Sequence, residues 1–182
     1  MMTFRMVETR DLYKLVEIAC TTFIETYGDK NDPEEFYPYV EKTFSPETLI
    51  EELHTEGSLF YFLEQQNEPI GYFKLNVNKS PLQTDRPSFH FDFSPFSSMQ
   101  MSELERIYLR KAFHGKGIAA KLMQYIEDCA RQNQSLYLWL GVWTENPRAV
   151  RYYQKCGFNV FGEHIFQIGS DAQKDFLMWK KL

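Results

Sequence analysis

A mixed fold of the α/β (α+β) class is what this sequence predicts, with a central sheet of about six to seven strands and helices on both faces. Three observations carry that expectation. Apolar residues recur at helical spacing in Leu12, Leu15, Ile18, Ala19 and Phe23, and again in Ile118, Leu122, Tyr125, Ile126 and Cys129. Between those stripes, Leu136 to Trp143 is apolar on both alternating faces, as expected for a strand covered on both sides. The third is order: Glu105 to Leu109 has strand composition and runs through Gly115 and Gly117 into a helix, followed by the central strand, another helix and a strand.

Taken in order, Thr3 to Val7 suits a short first strand, and the first apolar stripe follows behind a Thr9 cap and stops at Gly28. Asp32-Pro33 and Ser45-Pro46-Glu47 each place a capping side chain before proline at a helix start, predicting helices over about 33–43 and 46–54. Pro38 should end the first of these early or kink it. Ser58 to Leu63 and Ile70 to Val77 predict a hairpin, turning at Gln66-Asn67-Glu68-Pro69. About 78–102 is long for a connection and holds Pro81, Pro87 and Pro95; within it Phe89, Phe91 and Phe93 alternate with His90 and Asp92, as in a short strand or flap with one greasy face. Asn146-Pro147 opens the last helix, Gly157 stops it, and Phe158 to Ile168 and Phe176 to Lys181 are strand-like.

One domain spanning 1–182 is expected at 182 residues, since a chain of that size buries roughly 70% of the surface it exposes when unfolded. A content of 43% hydrophobic and 25% charged residues excludes disorder throughout. The net charge of −5 speaks against a nucleic-acid partner and favours cationic ones. Cys20, Cys129 and Cys156 are odd in number, widely spaced and without nearby His pairs, so no metal site is expected and the thiols should be reduced and packed. No leader pattern opens the chain, and Leu136 to Leu140 is too short to span a bilayer; a cytoplasmic protein with no membrane partner is expected.

Chemistry concentrates at Glu105 to Ala120. Two glycines let a backbone bend and approach a ligand closely, and a helix start beyond them leaves N–H groups and a positive dipole end available to a phosphate. No Gly-Lys-Ser/Thr follows, which excludes a Walker loop, and the third glycine of a dinucleotide fingerprint is missing. Glu105 is a carboxylate in a strand bound for burial, a costly placement unless its face opens on a site or a cation such as Arg106 pairs with it. Asn146 can be a plain N-cap, and Tyr152 and Tyr153 can be plain core residues.

The pair of motifs His114-x-x-Gly117-x-Ala119 and Asn146-x-x-Ala149-x-x-x-Tyr153-x-x-x-Gly157-Phe158 resembles the GNAT family of N-acetyltransferases. Leu104-Glu105-Arg106-Ile107-Tyr108 and Leu138-Trp139-Leu140-Gly141-Val142-Trp143 look most like its bacterial PaiA-type spermidine/spermine N-acetyltransferases. The resemblance implies an acetyl-CoA site in a cleft between splayed central strands. Pantetheine would pair with the backbone of Ile107, Tyr108 and Leu109, and the pyrophosphate would meet the amides of His114, Gly115, Lys116, Gly117, Ile118, Ala119 and Ala120. His114 stands where the family usually has Gln or Arg. Asn146 would lie near the pantetheine or phosphate arm. Tyr153 would donate a proton to the departing sulfur, and Glu105 would take one from the amine, directly or through water.

The activity implied is acetyl transfer from acetyl-CoA to a primary amine by direct attack on the thioester. Alternatives are a protein, peptide or other small-molecule amine as acceptor, or an acyl-CoA-binding module without catalysis. A polyamine is favoured by Glu25, Asp29, Asp32, Glu34, Glu35 and Glu41 with Phe36, Tyr37 and Tyr39 among them, although a solvated acidic helix face has the same composition. An exposed Phe-rich flap could form a homodimer contact.

Overall fold

A computed structural model describes residues 2–83, 88–89 and 100–182. Eight strands are present: β1 (Met2–Met6), β2 (Ser58–Gln65), β3 (Glu68–Asn76), β4 (Ser88–Phe89), β5 (Met101–Leu109), β6 (Tyr137–Trp143), β7 (Asn159–Ile168) and β8 (Asp171–Lys181). Five helices accompany them: α1 (Leu12–Tyr27), α2 (Pro33–Thr43), α3 (Pro46–His54), α4 (Ile118–Gln132) and α5 (Pro147–Lys155). The mixed α/β class is as the sequence predicts. Two residues of the long insertion form β4, antiparallel to β7, while Phe91 and Phe93, and with them the flap and its dimer contact, lie outside the described residues.

Local chemistry explains the boundaries. The β2–β3 hairpin turns on Gln66 and Asn67, both at positive φ, 56° and 64°, the two-residue geometry whose twist matches that of the strands. Asp32, Ser45 and Asn146 each cap a helix by accepting from a backbone N–H two or three residues on, with proline at the first helical position. Ahead of α1 the cap is not Thr9 but a reciprocal box between Glu8 and Asp11, and Arg5 grips Asp11 at 2.6 Å and Glu64 at 2.9 Å. That guanidinium holds the Asp11 carboxyl below its ordinary value. Gly28 follows α1 with ordinary right-handed φ and passes into a 3-10 turn. Pro38 neither ends nor splits α2: it and Glu34, whose carbonyl loses its partner, are exposed, so water can satisfy what the ring removes.

The chain divides into two compact units. The first comprises 1–74, 106–122 and 168–170. Its strands run in the order β1-β2-β3-β5, with β1 antiparallel to β2. A core of Leu15, Ile18, Phe23, Phe36, Phe44, Phe60 and Tyr72 joins α1, α2 and α3 to the strands, and a second cluster gathers Leu63, Ile70, Leu109, Phe113 and Ile118 at the start of α4. Ile70 and Tyr72 are two apart on β3 yet serve opposite clusters, so the alternation slips by one residue at Gly71, as at a β-bulge. Glu52 of α3 ties Lys74 at 3.1 Å and Arg106 at 2.7 Å.

The second unit comprises 75–105, 123–167 and 171–182, with strands in the order β3-β5-β6-β8-β7-β4. The β6–β8 ladder is antiparallel along the whole of β6, from Tyr137↔Lys181 to Trp143↔Asp175. By contrast, β5 meets β6 in parallel over only Met101↔Tyr137, Ser102↔Leu138 and Glu103↔Trp139. Met101, Trp139, Phe161 and Leu177 form this unit's core on one face. Met123, Ile126, Cys129 and Ala130 are the buried stripe of α4. Strand β8 begins five residues before the sequence suggests, because Asp171 to Asp175 is polar but still pairs in the hairpin.

Among the described residues no helix is long and apolar enough to cross a membrane, and no group of three or more potential ligands could hold a metal ion. All three cysteines are free thiols.

Candidate active site

In the first unit, Ile107, Tyr108 and Leu109 close β5, and Arg110 N–H donates to Ile70 C=O at 2.9 Å on the β3 side. Gly71 lets these strands approach: a Cβ there would stand 2.6 Å from the Tyr108 carbonyl oxygen. Beyond Glu103, β5 has no ladder partner on its other edge among the described residues. Main-chain groups at Ile107 to Leu109 therefore present an edge to which an extended chain can add. The Tyr108 ring lies against Phe23, Tyr27 and Tyr72, and burial, then Tyr27, pushes its phenol well above the ordinary value.

The loop after β5 is held at both ends. Lys111 N–H donates to Glu25 Oε2 at 2.7 Å, and His114 N–H to Lys111 C=O at 3.1 Å. The His114 ring reaches back, its Nε2 2.7 Å from Leu109 C=O, a geometry that makes Nε2 the protonated nitrogen. His114 thus ties the loop to the strand with its ring, and its amide is already spent. Gly115 and Gly117 have φ of +75° and +72°, with nothing within 4 Å of where a Cβ would stand. Glycine is needed here for backbone conformation rather than for want of space. Among the described residues no backbone acceptor takes the amides of Gly115, Lys116, Gly117 or Ile118, and α4 begins at Ile118. Ala119 and Ala120 continue its first turn, while Lys116 lies over the Phe113 ring at 5.2 Å.

In the second unit, Glu105 sits beside a second carboxylate that the sequence reading did not single out. Asn76 Nδ2 donates to Glu105 Oε2 at 2.6 Å and to Glu103 Oε2 at 2.8 Å, and Lys79 stands 3.3 Å from Glu103. Burial, then the charge of Glu105, raises the Glu103 carboxyl above its ordinary value. The Glu103-x-Glu105 spacing in a strand was the available signal; Asn76 and Lys79 carried none. Arg106, the cation considered for Glu105, forms a two-pronged pair with Glu52.

Asn146 Oδ1 accepts from Ala149 N–H at 3.2 Å, so the capping role is present. Tyr153, on α5, is buried, with its ring between Tyr152 and Phe158. Tyr152 instead turns to Cys156, and burial followed by that neighbour drives its phenol up. Lys180 Nζ closes the end of α5 by donating to Cys156 C=O at 2.8 Å and to Glu127 at 2.7 Å. Glu105, Asn146 and Tyr153 belong to the second unit, whereas Ile107 to Ala120 belong to the first.

These features fit a long ligand with an amide-bearing arm and a pyrophosphate: an unpaired strand edge, open amides at left-handed glycines and a helix start. The acetyltransferase (GNAT) family profile matches residues 12–158. An uncharacterized N-acetyltransferase from the pepI 3′ region of Lactobacillus delbrueckii subsp. lactis is 37% identical over 97% of this chain and 95% of its own. Among solved structures, the PaiA N-acetyltransferase of Thermoplasma acidophilum in complex with coenzyme A aligns over 100% of this chain and 99% of its own, with a TM-score of 0.74 and 22% identity. Mutant forms of the spermidine/spermine N-acetyltransferase SpeG of Vibrio cholerae align over 100% and 95%, with a TM-score of 0.65 and 20% identity.

Proposed function

The chain belongs to the GNAT acetyltransferase family, and from that premise we propose that it transfers an acetyl group from acetyl-CoA directly to a primary amine, with a polyamine such as spermidine or spermine as the favoured acceptor. That it is an acetyl-CoA-dependent N-acetyltransferase follows from the family. The observation that carries the proposal is the loop from His114 to Ala120, where two left-handed glycines leave amides open at a helix start.

In this reading the edge at Ile107, Tyr108 and Leu109 pairs with the pantetheine amides. The amides of Gly115, Lys116, Gly117 and Ile118 hold the pyrophosphate, with Ala119 and Ala120 in the same helix turn. His114 holds the loop in shape, and Asn146 lies by the phosphate or pantetheine arm while capping α5. Acetyl-CoA supplies the acetyl group as a thioester. Aliphatic ammonium groups titrate near 10, so a proton must leave before the nitrogen can attack; Glu105, oriented by Asn76, receives it directly or through water. Tyr153 gives its phenolic proton to the leaving sulfur as the C–S bond breaks, and the second proton that the nitrogen sheds on becoming an amide restores the phenol.

The polyamine preference is supported by the paired Glu103 and Glu105 and by the name of one structural neighbour, the spermidine/spermine N-acetyltransferase of Vibrio cholerae. The early acidic residues support it less: Glu25 holds Lys111, Asp32 caps α2, and Glu35 accepts from Ser170 N–H and Oγ. Only Asp29, Glu34 and Glu41 of that set are exposed without such a task. A peptide or other small-molecule amine is the second reading. Three free thiols suit a reducing compartment, and the cytoplasm is the proposed location.

Tyr153→Phe tests the assignment. It should lower turnover by roughly 10–1000-fold, in the range of a lost acid-base group, and leave acetyl-CoA affinity within twofold. Unchanged steady-state turnover removes Tyr153 as the acid.

A further inference from the structure

Across the sheet from the paired carboxylates lies a second constellation, wholly within the second unit. His164 on β7 and Asp175 on β8 face each other with Nε2 3.6 Å from Oδ2, and their side chains retain 14% and 13% of their exposure. That separation is too long for a direct hydrogen bond, so the two polar atoms face each other unbonded. Neither side chain has a hydrogen-bond partner among the described residues. Both polar atoms lie over Gly141 of β6. Gly141 has no side chain, and a Cβ there would stand 3.2 Å from His164 Nε2 and 3.5 Å from Asp175 Oδ2. No positive φ requires glycine at this position, so the missing side chain is what the site uses.

Register relates these residues to β5. Glu103 pairs with Trp139, the last pair of the β5–β6 ladder among the described residues, and Glu105 and Gly141 each stand two residues beyond it. Met101 and Trp139 share one cluster, which puts Glu103 and Glu105 on the same face as Gly141. The β5–β6 ladder has ended by this point among the described residues.

We propose that Gly141, His164 and Asp175 form the seat of the acceptor's primary ammonium group, on the sheet face that also carries Glu105. Two acceptors 3.6 Å apart can each take an N–H from one small cation placed between them, and an ammonium offers three. Asp175 provides charge, His164 provides Nε2 as the second acceptor, and the third N–H remains to be given up before the nitrogen attacks. Gly141 keeps a side chain from crowding both acceptors. His164 and Asp175 therefore choose a primary ammonium over a bulkier tertiary one, which has a single N–H. The inference rests on the acetyltransferase reading and adds to it the place where the amine sits.

The experiment uses the full chain with acetyl-CoA and a primary amine that the native protein acetylates. Asp175→Asn and Gly141→Ala should each raise the amine KM about 10–100-fold, as expected when a charge-assisted hydrogen bond is lost. The acetyl-CoA KM and Tm should hold, and His54→Gln, an exposed histidine bonded to Thr9, should change nothing. Calorimetric titration of the amine into each variant saturated with coenzyme A reads the same loss of affinity without turnover. An amine KM and affinity that stay native in both variants overturn the proposal, as does a matching rise in both substrates' KM. A native protein that binds acetyl-CoA but acetylates no amine overturns the underlying reading instead.

Discussion

Replacing Gly71 by alanine tests whether β5 is held where the cofactor needs it. The added Cβ would lie 2.6 Å from the Tyr108 carbonyl oxygen, 3.1 Å from Leu109 Cδ1 and 3.3 Å from Leu109 Cα. Two of those neighbours are backbone, so the strands must part by about 0.8 Å to restore ordinary contact at 3.4 Å. Overpacking of this kind costs about 1–3 kcal/mol. Straining the Arg110–Ile70 hydrogen bond next to it adds about 0.5–1.5 kcal/mol. Alanine returns about 0.4–1 kcal/mol by narrowing the unfolded ensemble. The net is a loss of about 0.5–4 kcal/mol, read by urea unfolding with an unchanged m-value. Because the displaced backbone is that of Tyr108 and Leu109, acetyl-CoA affinity should also fall by about 2–13-fold, one hydrogen bond's worth. Native stability together with native affinity would refute both the close approach and the cofactor edge.

Gly117→Ala meets no neighbour but must hold φ near +72°, so it should cost about 1–2 kcal/mol of loop order and appear as weaker acetyl-CoA binding in calorimetry rather than as lost Tm. Glu52→Gln leaves buried Lys74 and half-buried Arg106 without their shared carboxylate and should destabilise by on the order of 2–4 kcal/mol in urea. Glu103 has a raised folded-state value, so its protonated form favours folding; that contribution is full below the ordinary 4.5 and fades as pH rises through the folded value. Glu103→Gln should accordingly gain stability relative to the native chain as pH climbs from about 4.5, followed by urea midpoints across pH; a constant difference would contradict the shift. Glu105→Gln should abolish the acidic limb of the rate profile, and a limb that survives intact removes Glu105 as the base.

The sequence makes the elements legible where chemistry is local. Asp32-Pro33, Ser45-Pro46 and Asn146-Pro147 open their helices as capping predicts, because the side chain and the amide it accepts from are at most three residues apart. The two glycines of the loop also declare themselves, since both need positive φ. Legibility fails where a residue's meaning depends on a distant partner. Gly71 looks like a defect in a strand until Tyr108 is beside it, and Asn76 gains its role only from Glu103 and Glu105, which are 27 and 29 residues away. Gly141 passed as a member of a buried strand, since neither His164 nor Asp175 forms any spaced motif with it. Pro38 shows the opposite case: the helix runs on through it, where the carbonyl it orphans faces water.

The most direct test of the account is to incubate the purified chain with acetyl-CoA and a panel of amines, following free thiol and product mass together. Spermidine or another primary amine should gain one acetyl group for each thiol released, and Tyr153→Phe should suppress both signals equally. Thiol release without any acetylated amine, or no release across polyamines, amino acids and peptide amino termini, would contradict it.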